Sequence, residues 1–341
     1  MLEFRTRSFN GYAVKYSPFF DSRIAVAASA NFGLVGNGRL YVLGLTPDGI
    51  VSEKCFDTQD SLFDVAWSEA HENQLLTASG DGSLKLFDIG VDKFPVRSWR
   101  EHKREVFSAH WNLVAKDTFC SSSWDGTVKV WSPNRHDSLV TLPIHSCTYS
   151  TSWSPHSPSI LSAVSSDSHL RVFDLRSPPS ASNHLTMSIP IHAPTTKTSS
   201  APAVPPSEAL THDWNKYRDT IIATAGVDRL IRVFDIRAPQ HGPVTVMAGH
   251  EYAVRKVSWS PHLPDLLLSA SYDMTCRVWS DALSGQEPTA PGGVGQERGR
   301  MGRHTEFVTG IDWCLFGTEG WCASCGWDER LLIWDVREFM G

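Results

Sequence analysis

The chain alternates apolar and polar residues over short stretches, as in "VFSAHW" at 106–111 and "VRKVSW" at 254–259. These stretches are bounded by Gly, Asp, Ser and Pro. Alternation with a period of two predicts half-buried β-strands joined by tight turns. No stretch has the period of a long amphipathic helix, so the pattern predicts an all-β fold.

One phrase recurs along the chain. "SSSWDGTVKVWSP" at 121–133 is repeated in similar form as "TASGDGSLKLFDI" at 77–89 and "SASYDMTCRVWS" at 269–280. The recurring aspartates follow one another in steps of 44, 42, 61, 45 and 55 residues, at Asp81, Asp125, Asp167, Asp228, Asp273 and Asp328. A degenerate copy at 10–45 brings the number of copies to seven. A period of about 42–45 residues is typical of a four-stranded propeller blade.

We interpret the whole chain, 1–341, as a single propeller. The seven blades are predicted at roughly 10–45, 56–89, 100–133, 142–175, 207–236, 248–280 and 302–336. Two compositionally biased segments account for the long steps, 177–206 (Pro, Ser and Thr) and 281–301 (Gly and charged residues). We expect both to be inserted loops, since such composition cannot bury a core. A strand at 2–7 is predicted to complete the last blade and remove the exposed sheet edges.

These repeats resemble the WD-repeat (WD40) propeller family. The Gly-His and Trp-Asp pairs of that family stand here as Gly249-His250 and Trp334-Asp335. The resemblance implies an all-β, seven-bladed WD40 β-propeller. It also implies three structural tetrads, in which a His, an Asp and a Trp meet a Ser: His102, Asp125 and Trp131; His250, Asp273 and Trp279; His304, Asp328 and Trp334. Because these sets recur blade after blade, we interpret them as scaffold and not as catalytic triads.

Composition excludes several classes of function. A net charge of −6 argues against a nucleic-acid partner. No run of about 18 apolar residues occurs, so we expect no direct membrane insertion. Seven cysteines scattered through strand-like segments, with no visible secretory signal, favour a reducing compartment such as the cytoplasm.

Candidate catalytic chemistry is sparse. Cys322 and Cys325 in "CASC" lie three apart on a predicted strand and so point to opposite faces. "GLVGNG" at 33–38 is not followed by a helix and is interpreted as a hairpin turn. We therefore expect no enzymatic activity, no catalytic residue, no metal and no cofactor.

A closer resemblance covers residues from about 9 to 337. It rests on "NGYAVKYSPFF" at 10–20, "EHKREVFSAHWN" at 101–112, "THDWNKYRDTIIATAGVDRLIRVFDIR" at 211–237 and "GHEYAVRKVSWSPH" at 249–262. Together they are similar to the peroxin-7 family, the receptors for the type 2 peroxisomal targeting signal. The resemblance implies an import receptor that binds an N-terminal signal, in outline Arg-Leu-X5-His/Gln-Leu, on cargo such as thiolase. It further implies a co-receptor, peroxisomal docking proteins, and cycling between the cytoplasm and the peroxisome.

A cationic amphipathic helix needs acidic groups beside aromatic ones. Residues just before the first strand of a blade, and just before its turn Asp, lie on one face of a propeller, which we call the narrow face. The candidate binding residues there are Asp60, Asp64, Glu105, Glu208, Tyr252, Glu306, Trp124, Tyr272 and Trp327. The alternative is that the acidic residues are solvated loop charges and that the tryptophans pack between blades. The rival functions are a ubiquitin-ligase substrate adaptor, a histone-binding propeller, or a scaffold subunit of a larger complex.

Overall fold

The computed structural model describes residues 1–91, 93–178, 183–192, 206–283 and 292–340. Within them the chain forms seven β-sheets, one per blade, of four strands each except for a fifth strand in one blade. The prediction of a seven-bladed all-β propeller is confirmed. Three 3-10 turns, Ala30–Gly33, Pro239–His241 and Val336–Glu338, are the helical elements of this part of the chain. None of them has the length or apolar character that a membrane-spanning helix needs.

Each blade is an antiparallel meander, and its strands follow one another from the innermost strand outward. Blades 1 to 3 consist of β2 (Asn10–Tyr16), β3 (Arg23–Ser29), β4 (Gly38–Thr46) and β5 (Gly49–Thr58); β6 (Leu62–Trp67), β7 (Gln74–Ser79), β8 (Leu84–Asp88) and β9 (Arg97–Trp99); β10 (Val106–Trp111), β11 (Phe119–Ser123), β12 (Thr127–Trp131) and β13 (Val140–Pro143). Blades 4 and 5 consist of β14 (Thr148–Trp153), β15 (Ile160–Ser165), β16 (His169–Asp174) and β17 (Leu185–Pro190); β18 (Ala209–Trp214), β19 (Ile221–Gly226), β20 (Ile231–Asp235), β21 (Thr245–Met247) and the short parallel β25 (Gly293–Val294). Blades 6 and 7 consist of β22 (Val254–Trp259), β23 (Leu266–Ser271), β24 (Cys276–Ser280) and β26 (Gln296–Met301); β27 (Val308–Trp313), β28 (Trp321–Gly326), β29 (Arg330–Asp335) and β1 (Leu2–Arg5).

The innermost strands of neighbouring blades touch one another around a closed ring, so they line a central channel. Because each blade is a meander, its connections alternate between the two ends of this channel. The connections between blades, and those between the second and third strands, open on the narrow face. The connections between the first and second strands open on the opposite end, which we call the wide face.

Apolar side chains fill each junction between blades. Seven buried clusters occur among the described residues, one for every junction. The two cysteines of "CASC" illustrate the arrangement, because Cys322 packs toward blade 6 and Cys325 packs toward blade 1. Burial raises the pKa of both thiols. A sheet can bury both faces in this way only when it has neighbours on both sides.

Three hydrogen-bonded relays tie the narrow-face loops to the strands. In blade 3, His102 Nδ1 lies 2.9 Å from Asp125 Oδ2, and His102 Nε2 lies 2.8 Å from Ser121 Oγ. The indole N–H of Trp131 also donates to Ser121 Oγ, over 2.8 Å. The sets in blades 6 and 7 repeat this arrangement: His250 with Asp273 (2.7 Å) and Ser269 (2.7 Å), and His304 with Asp328 (2.9 Å) and Ser324 (2.9 Å), with Trp279 and Trp334 donating to the serines. Burial opposes ionisation of Asp125, but the hydrogen bonds from His102 and Thr127 outweigh it and hold the pKa of this carboxyl well below its ordinary value.

The ring is closed by pairing between distant parts of the chain. Strand β1 is antiparallel to β29, with Leu2 opposite Ile333 and Arg5 opposite Arg330. Beyond the strand, the backbone N–H of Ser8 donates to the carboxylate of Glu329 over 2.9 Å. Blade 7 therefore contains strands from both ends of the described sequence.

The interpretation of 177–206 and 281–301 as inserted loops needs correction. Each segment contains the fourth strand of a blade, β17 paired with β16 and β26 paired with β24. The outer strand of a blade needs few apolar residues, since only part of it reaches the core; Ile189 and Met301 are the buried ones here. Within these two segments, 179–182, 193–205 and 284–291 lie outside the described residues.

Candidate functional site on the narrow face

Every blade has a β-bulge in its first strand, at the narrow-face end. The pairing register shifts there by one residue in all seven blades, for example between Val106 and Ser108 in β10. A bulge turns the extra residue out of the alternation, so two consecutive side chains face the channel. The seven extra residues, which we call the bulge ring, are Tyr12, Phe63, Phe107, Tyr149, Leu210, Arg255 and Thr309.

The bulge ring is aromatic in blades 1 to 4, and aromatic residues from the loops extend it. Phe107 is stacked between Phe63, at 4.6 Å between ring centroids, and Trp124, at 4.5 Å. Tyr12 continues the contact from Phe63 to Trp327, at 5.2 and 5.9 Å. The complete set, which we call the aromatic collar, runs in order of contact through Tyr149, Trp124, Phe107, Phe63, Tyr12, Trp327, Phe307 and Tyr272.

The collar is open at blade 5, where the bulge ring has Leu210. An acidic residue takes the position beside this opening: Glu208 accepts a hydrogen bond from the hydroxyl of Tyr149, with 3.0 Å between the oxygens. Burial, and then the negative charge of Glu208, raise the pKa of Tyr149, so this phenol stays protonated. Glu208 thus places a carboxylate at the edge of an aromatic surface.

Two further candidate acids lie outside the collar. Glu105 is half-buried and forms an ion pair with Arg104 at 3.5 Å. The guanidinium of Arg104 also lies 5.4 Å from the ring centroid of Trp124. Glu306, in the connection from blade 6 to blade 7, is exposed. These two carboxylates and that of Glu208 can meet a cation that approaches the collar from solvent.

The remaining candidate residues are not equally accessible on the narrow face. Asp64 is only 5% exposed, and its carboxylate accepts the backbone N–H of Ala109 over 3.1 Å inside the channel. It lies below the collar and does not belong to the accessible surface. Asp60 is half-buried and accepts the backbone N–H of Ser61 over 2.7 Å, which orients its carboxylate toward its own loop. Tyr252, at 59% exposure, stands on the rim, while Trp124, Tyr272 and Trp327 are half-buried members of the collar.

Sequence reasoning missed the four aromatic residues of the bulge ring. A signal was present, because Tyr12, Phe63, Phe107 and Tyr149 each stand four positions before the aromatic residue that ends the first strand. It also missed Arg255, which is 9% exposed and lies in the bulge ring at blade 6. Its guanidinium is close enough to Tyr12 and Tyr149 to oppose the upward shift of their pKa values.

An exposed apolar loop stands beside the collar at blade 1. Phe32 packs on Trp327 at 5.3 Å between ring centroids, and its carbonyl accepts the hydroxyl of Tyr12 over 2.6 Å. The following Leu34 is 83% exposed and Val35 is 75% exposed. These contacts hold the loop against the collar and leave its apolar tip in solvent.

The arrangement is suited to binding an extended partner. Within the described ranges, no group of three or more His, Cys, Asp and Glu side chains is placed to hold a metal ion. The histidines of the relays are hydrogen-bonded on both ring nitrogens to Asp and Ser. What the narrow face offers is a broad aromatic surface with carboxylates at its edge.

Comparison with known proteins gives a family. Four stretches, 93–132, 136–174, 241–280 and 295–335, match the WD domain, G-beta repeat, family. The chain is 40% identical to the peroxisomal targeting signal 2 receptor of Saccharomyces cerevisiae, over 98% of this chain and 99% of the relative. It is 42% identical to peroxisome biogenesis protein 7 of Arabidopsis thaliana (96% and 95% covered). It is 37% identical to the peroxisomal targeting signal 2 receptor of Mus musculus (96% and 94% covered). The chain therefore belongs to the WD40-repeat proteins and, among them, to the family of the peroxisomal targeting signal 2 receptors.

Proposed function

We propose that this protein binds the type 2 targeting signal of peroxisomal cargo proteins on its narrow face and acts as their import receptor. The observation that carries the proposal is the aromatic collar with Glu105, Glu208 and Glu306 around it. The relatives named as receptors for this signal cover nearly the whole chain, which supports the same role here.

The collar fits one side of an amphipathic helix. An α-helix with its side chains is about 10–12 Å across, and the half-buried stacked rings of Phe107 and Trp124, backed by the buried ring of Phe63, form an apolar surface in blade 3. Aliphatic side chains of the helix would bury this surface. Large, well-packed aromatic residues commonly dominate the energy of such contacts.

The carboxylates supply the second part of the recognition. A guanidinium of the signal that reaches Glu208 or Glu105 would form a charge-assisted hydrogen bond beside an apolar surface, where such bonds are strongest. Arg104 already forms an ion pair with Glu105, so the signal has to displace it or share the carboxylate. Among the described residues no cation pairs with Glu208, which makes it the stronger anchor; its hydrogen-bond partner is the neutral phenol of Tyr149.

Cargo such as thiolase, a co-receptor and peroxisomal docking proteins follow from the family resemblance as further parts of this proposal. So does cycling between the cytoplasm and the peroxisome. The role requires no catalysis by the receptor, only reversible binding, and the collar surface is suited to that.

The test is binding of a fluorescent signal peptide of the form Arg-Leu-X5-His/Gln-Leu to the purified chain, measured by anisotropy with and without lysate. Glu105→Lys and Glu208→Lys should weaken binding by roughly 30-fold or more, as expected for the loss of a partly desolvated charge pair. Val51→Lys on the outer strand β5 is the matched surface control and should bind like the unaltered protein.

A peptide in which the Arg is replaced by Glu should recover affinity for the two Lys variants. If the peptide binds all three variants equally, the narrow-face model is wrong. If the unaltered protein binds no signal peptide even when lysate supplies a co-receptor, the receptor role is wrong.

A further inference from the structure

The wide face has a second surface with a different composition. It is formed by the seven loops that join the first and second strands of the blades, all of them within the described ranges: 17–22, 68–73, 112–118, 154–159, 215–220, 260–265 and 314–320. We call these loops the wide-face annulus. They surround the far end of the channel and share no residue with the aromatic collar.

Hydrogen bonds between neighbouring loops hold the annulus together. The hydroxyl of Tyr217 donates to the carbonyl of Pro261 over 2.8 Å, joining blades 5 and 6. His262 Nε2 lies 3.0 Å from the carbonyl of Cys314, joining blades 6 and 7. His156 Nε2 lies 2.9 Å from the carbonyl of Asn215, joining blades 4 and 5. The annulus is therefore a preorganised surface, which lowers the entropy cost of binding.

Apolar side chains point into solvent from most of these loops. The exposed ones are Phe19, Val114, Tyr217, Leu263, Leu315 and Phe316, from blades 1, 3, 5, 6 and 7. Single exposed apolar residues are ordinary, but a set that follows the rim of one opening marks an interaction surface.

A cavity of about 190 Å³ opens in the middle of the annulus. The annulus loops line it with the apolar Pro18, Leu113, Pro261 and Leu315 and with Glu69 and Lys216, and polar groups of the first strands lie deeper in the channel. At the other end, the bulge ring reduces the channel to about 10 Å³ of free space. One large apolar side chain can enter from the wide face without reaching the narrow face.

The charges of the annulus are strongly unequal. Its exposed acidic residues are Asp21, Glu72, Asp117, Asp219 and Glu319, whereas Lys116 is the one exposed Lys or Arg in these seven described loops. The other two cations are held by carboxylates, Lys216 by Asp213 at 2.8 Å and Arg218 by Asp281. An apolar rim with an acidic surround is complementary to a partner that has apolar anchors flanked by Lys or Arg.

We propose that the wide-face annulus docks a basic, amphipathic segment of a second protein, with one apolar anchor in the mouth of the channel. Because the two surfaces lie at opposite ends of the channel, this partner binds while a cargo signal occupies the narrow face. The docking surface stands on its own geometry and charge and does not depend on what the narrow face binds.

The probes for the test are two synthetic 18-residue helical peptides with the same Leu and Trp positions. One has Lys at its polar positions and the other has Glu. Each is titrated by calorimetry into the full chain saturated with a labelled signal peptide, whose anisotropy reports any displacement from the narrow face. The Lys peptide should bind without displacing the signal, and the Glu peptide should bind at least roughly tenfold more weakly.

Substitutions in the wide-face annulus test whether the Lys peptide binds there. Leu263→Asp together with Leu315→Asp should weaken the Lys peptide roughly tenfold or more, while Val51→Asp, at an exposed apolar position on the circumference, should not. Asp219→Lys together with Glu319→Lys should reverse the preference between the two peptides.

Three results would overturn the proposal: equal affinity for the two peptides, equal affinity of all variants, or binding of the Lys peptide only by displacing the signal. If the signal peptide fails to saturate the narrow face even when lysate supplies a co-receptor, the receptor role fails. The same titrations on the unloaded protein still test the wide face, because the Leu263 and Leu315 substitutions change only the annulus and Val51→Asp lies outside it.

Discussion

The hydroxyl of Tyr149 in blade 4 donates to Glu208 Oε2 in the loop before blade 5, over 3.0 Å. The bond crosses the opening in the aromatic collar. It holds a carboxylate at the one edge of the collar where the bulge ring has an aliphatic residue, Leu210. In the proposed binding mode the two residues form one recognition unit, in which the phenol orients the carboxylate.

The substitution Tyr149→Phe tests how the orientation of the Glu208 carboxylate, as distinct from its charge, contributes to signal binding. It keeps the ring in contact with Phe107 and Trp124 but removes the hydrogen bond. We expect signal binding to weaken by about 1.5–3 kcal/mol, the usual worth of a hydrogen bond to a charged group. Glu208→Gln should lose more, because it removes the charge as well. Peptide anisotropy at two salt concentrations measures both; a larger loss for Tyr149→Phe than for Glu208→Gln would contradict this assignment.

Phe107 is the central ring of the collar, and we expect Phe107→Ala to weaken signal binding at least roughly tenfold. Each aromatic contact is worth about 0.5–1.5 kcal/mol beyond its buried area, and this change removes the stacking with both Phe63 and Trp124. The melting temperature should also fall, since the ring is half-buried. Phe94→Ala, at an exposed position in the loop between β8 and β9, is the control and should alter neither quantity. Unchanged affinity for folded Phe107→Ala would mean that the signal avoids the collar.

The relay of blade 6 should contribute to stability and not to recognition. Asp273→Ala removes the acceptor of His250 Nδ1 and of the backbone N–H of Glu251. Leaving such donors unsatisfied costs about 1–3 kcal/mol. We expect a decrease of this size in the free energy of unfolding measured in urea. Asp81→Ala is the matched control, because Asp81 accepts from Ser83 and Lys85 and has no histidine partner in the described part of the chain. A loss of signal affinity with unchanged stability would contradict the scaffold assignment.

Strand β1 should stabilise the closed ring. Removing residues 1–5 exposes the edge of β29 and takes away the contact of Phe4 with Tyr41, at 6.0 Å between ring centroids. We expect the melting temperature to fall by roughly 5 °C or more, which corresponds to about 2 kcal/mol for a chain of this size. Glu3→Ala keeps the strand and removes only the solvent-accessible ion pairs of Glu3 with Arg5 and Arg330, so its melting temperature should stay within about 2 °C. An unchanged melt after the deletion would show that the ring does not need this pairing.

His212 should make stability depend on pH. Burial lowers its pKa to about 3, with Asp213 opposing and Lys256 and Lys216 reinforcing the shift. The unfolded chain takes up the proton near pH 6.5 and the folded chain does not. The contribution of His212 to the free energy of unfolding is therefore fully present above about pH 6.5 and is lost as the pH falls toward 3. At pH 5 the loss amounts to about 2 kcal/mol. His212→Asn should reduce the slope of unfolding free energy between pH 6.5 and 5, although its stability at pH 7.5 will be lower. An unchanged slope would contradict the assignment to this residue.

The six turn aspartates and the degenerate copy at 10–45 were sufficient to predict seven blades, because blades without a long insertion repeat the same turn every 42–45 residues. The His-Asp-Trp sets could also be located, since their members keep fixed offsets within a blade. The fourth strands β17 and β26 could not, because an outer strand needs only one or two apolar residues, such as Ile189 and Met301.

The composition of the collar was harder to predict for a different reason. Period-two alternation assigns Phe107 and Ser108 to opposite faces of β10, but the bulge turns both toward the channel. The same shift places Asp64 in the channel directly after Phe63, whereas its position three residues before the aromatic Trp67 had suggested an accessible acid. A bulge cannot be recognised from a hydrophobicity pattern. An aromatic residue that recurs at the same offset in consecutive blades does indicate one.

The pairing of β1 with β29 has a consequence for synthesis on the ribosome. Ser8 and Glu329, which hydrogen-bond beside this pair, are 321 positions apart in the chain. Because synthesis adds about 5–20 residues per second, the interval between the synthesis of β1 and that of β29 is on the order of tens of seconds. During that time the early blades can pack on one another, but the ring has two open edges. A nascent chain of this protein therefore presents an unpaired strand to chaperones, and to other nascent chains, until its last blade emerges.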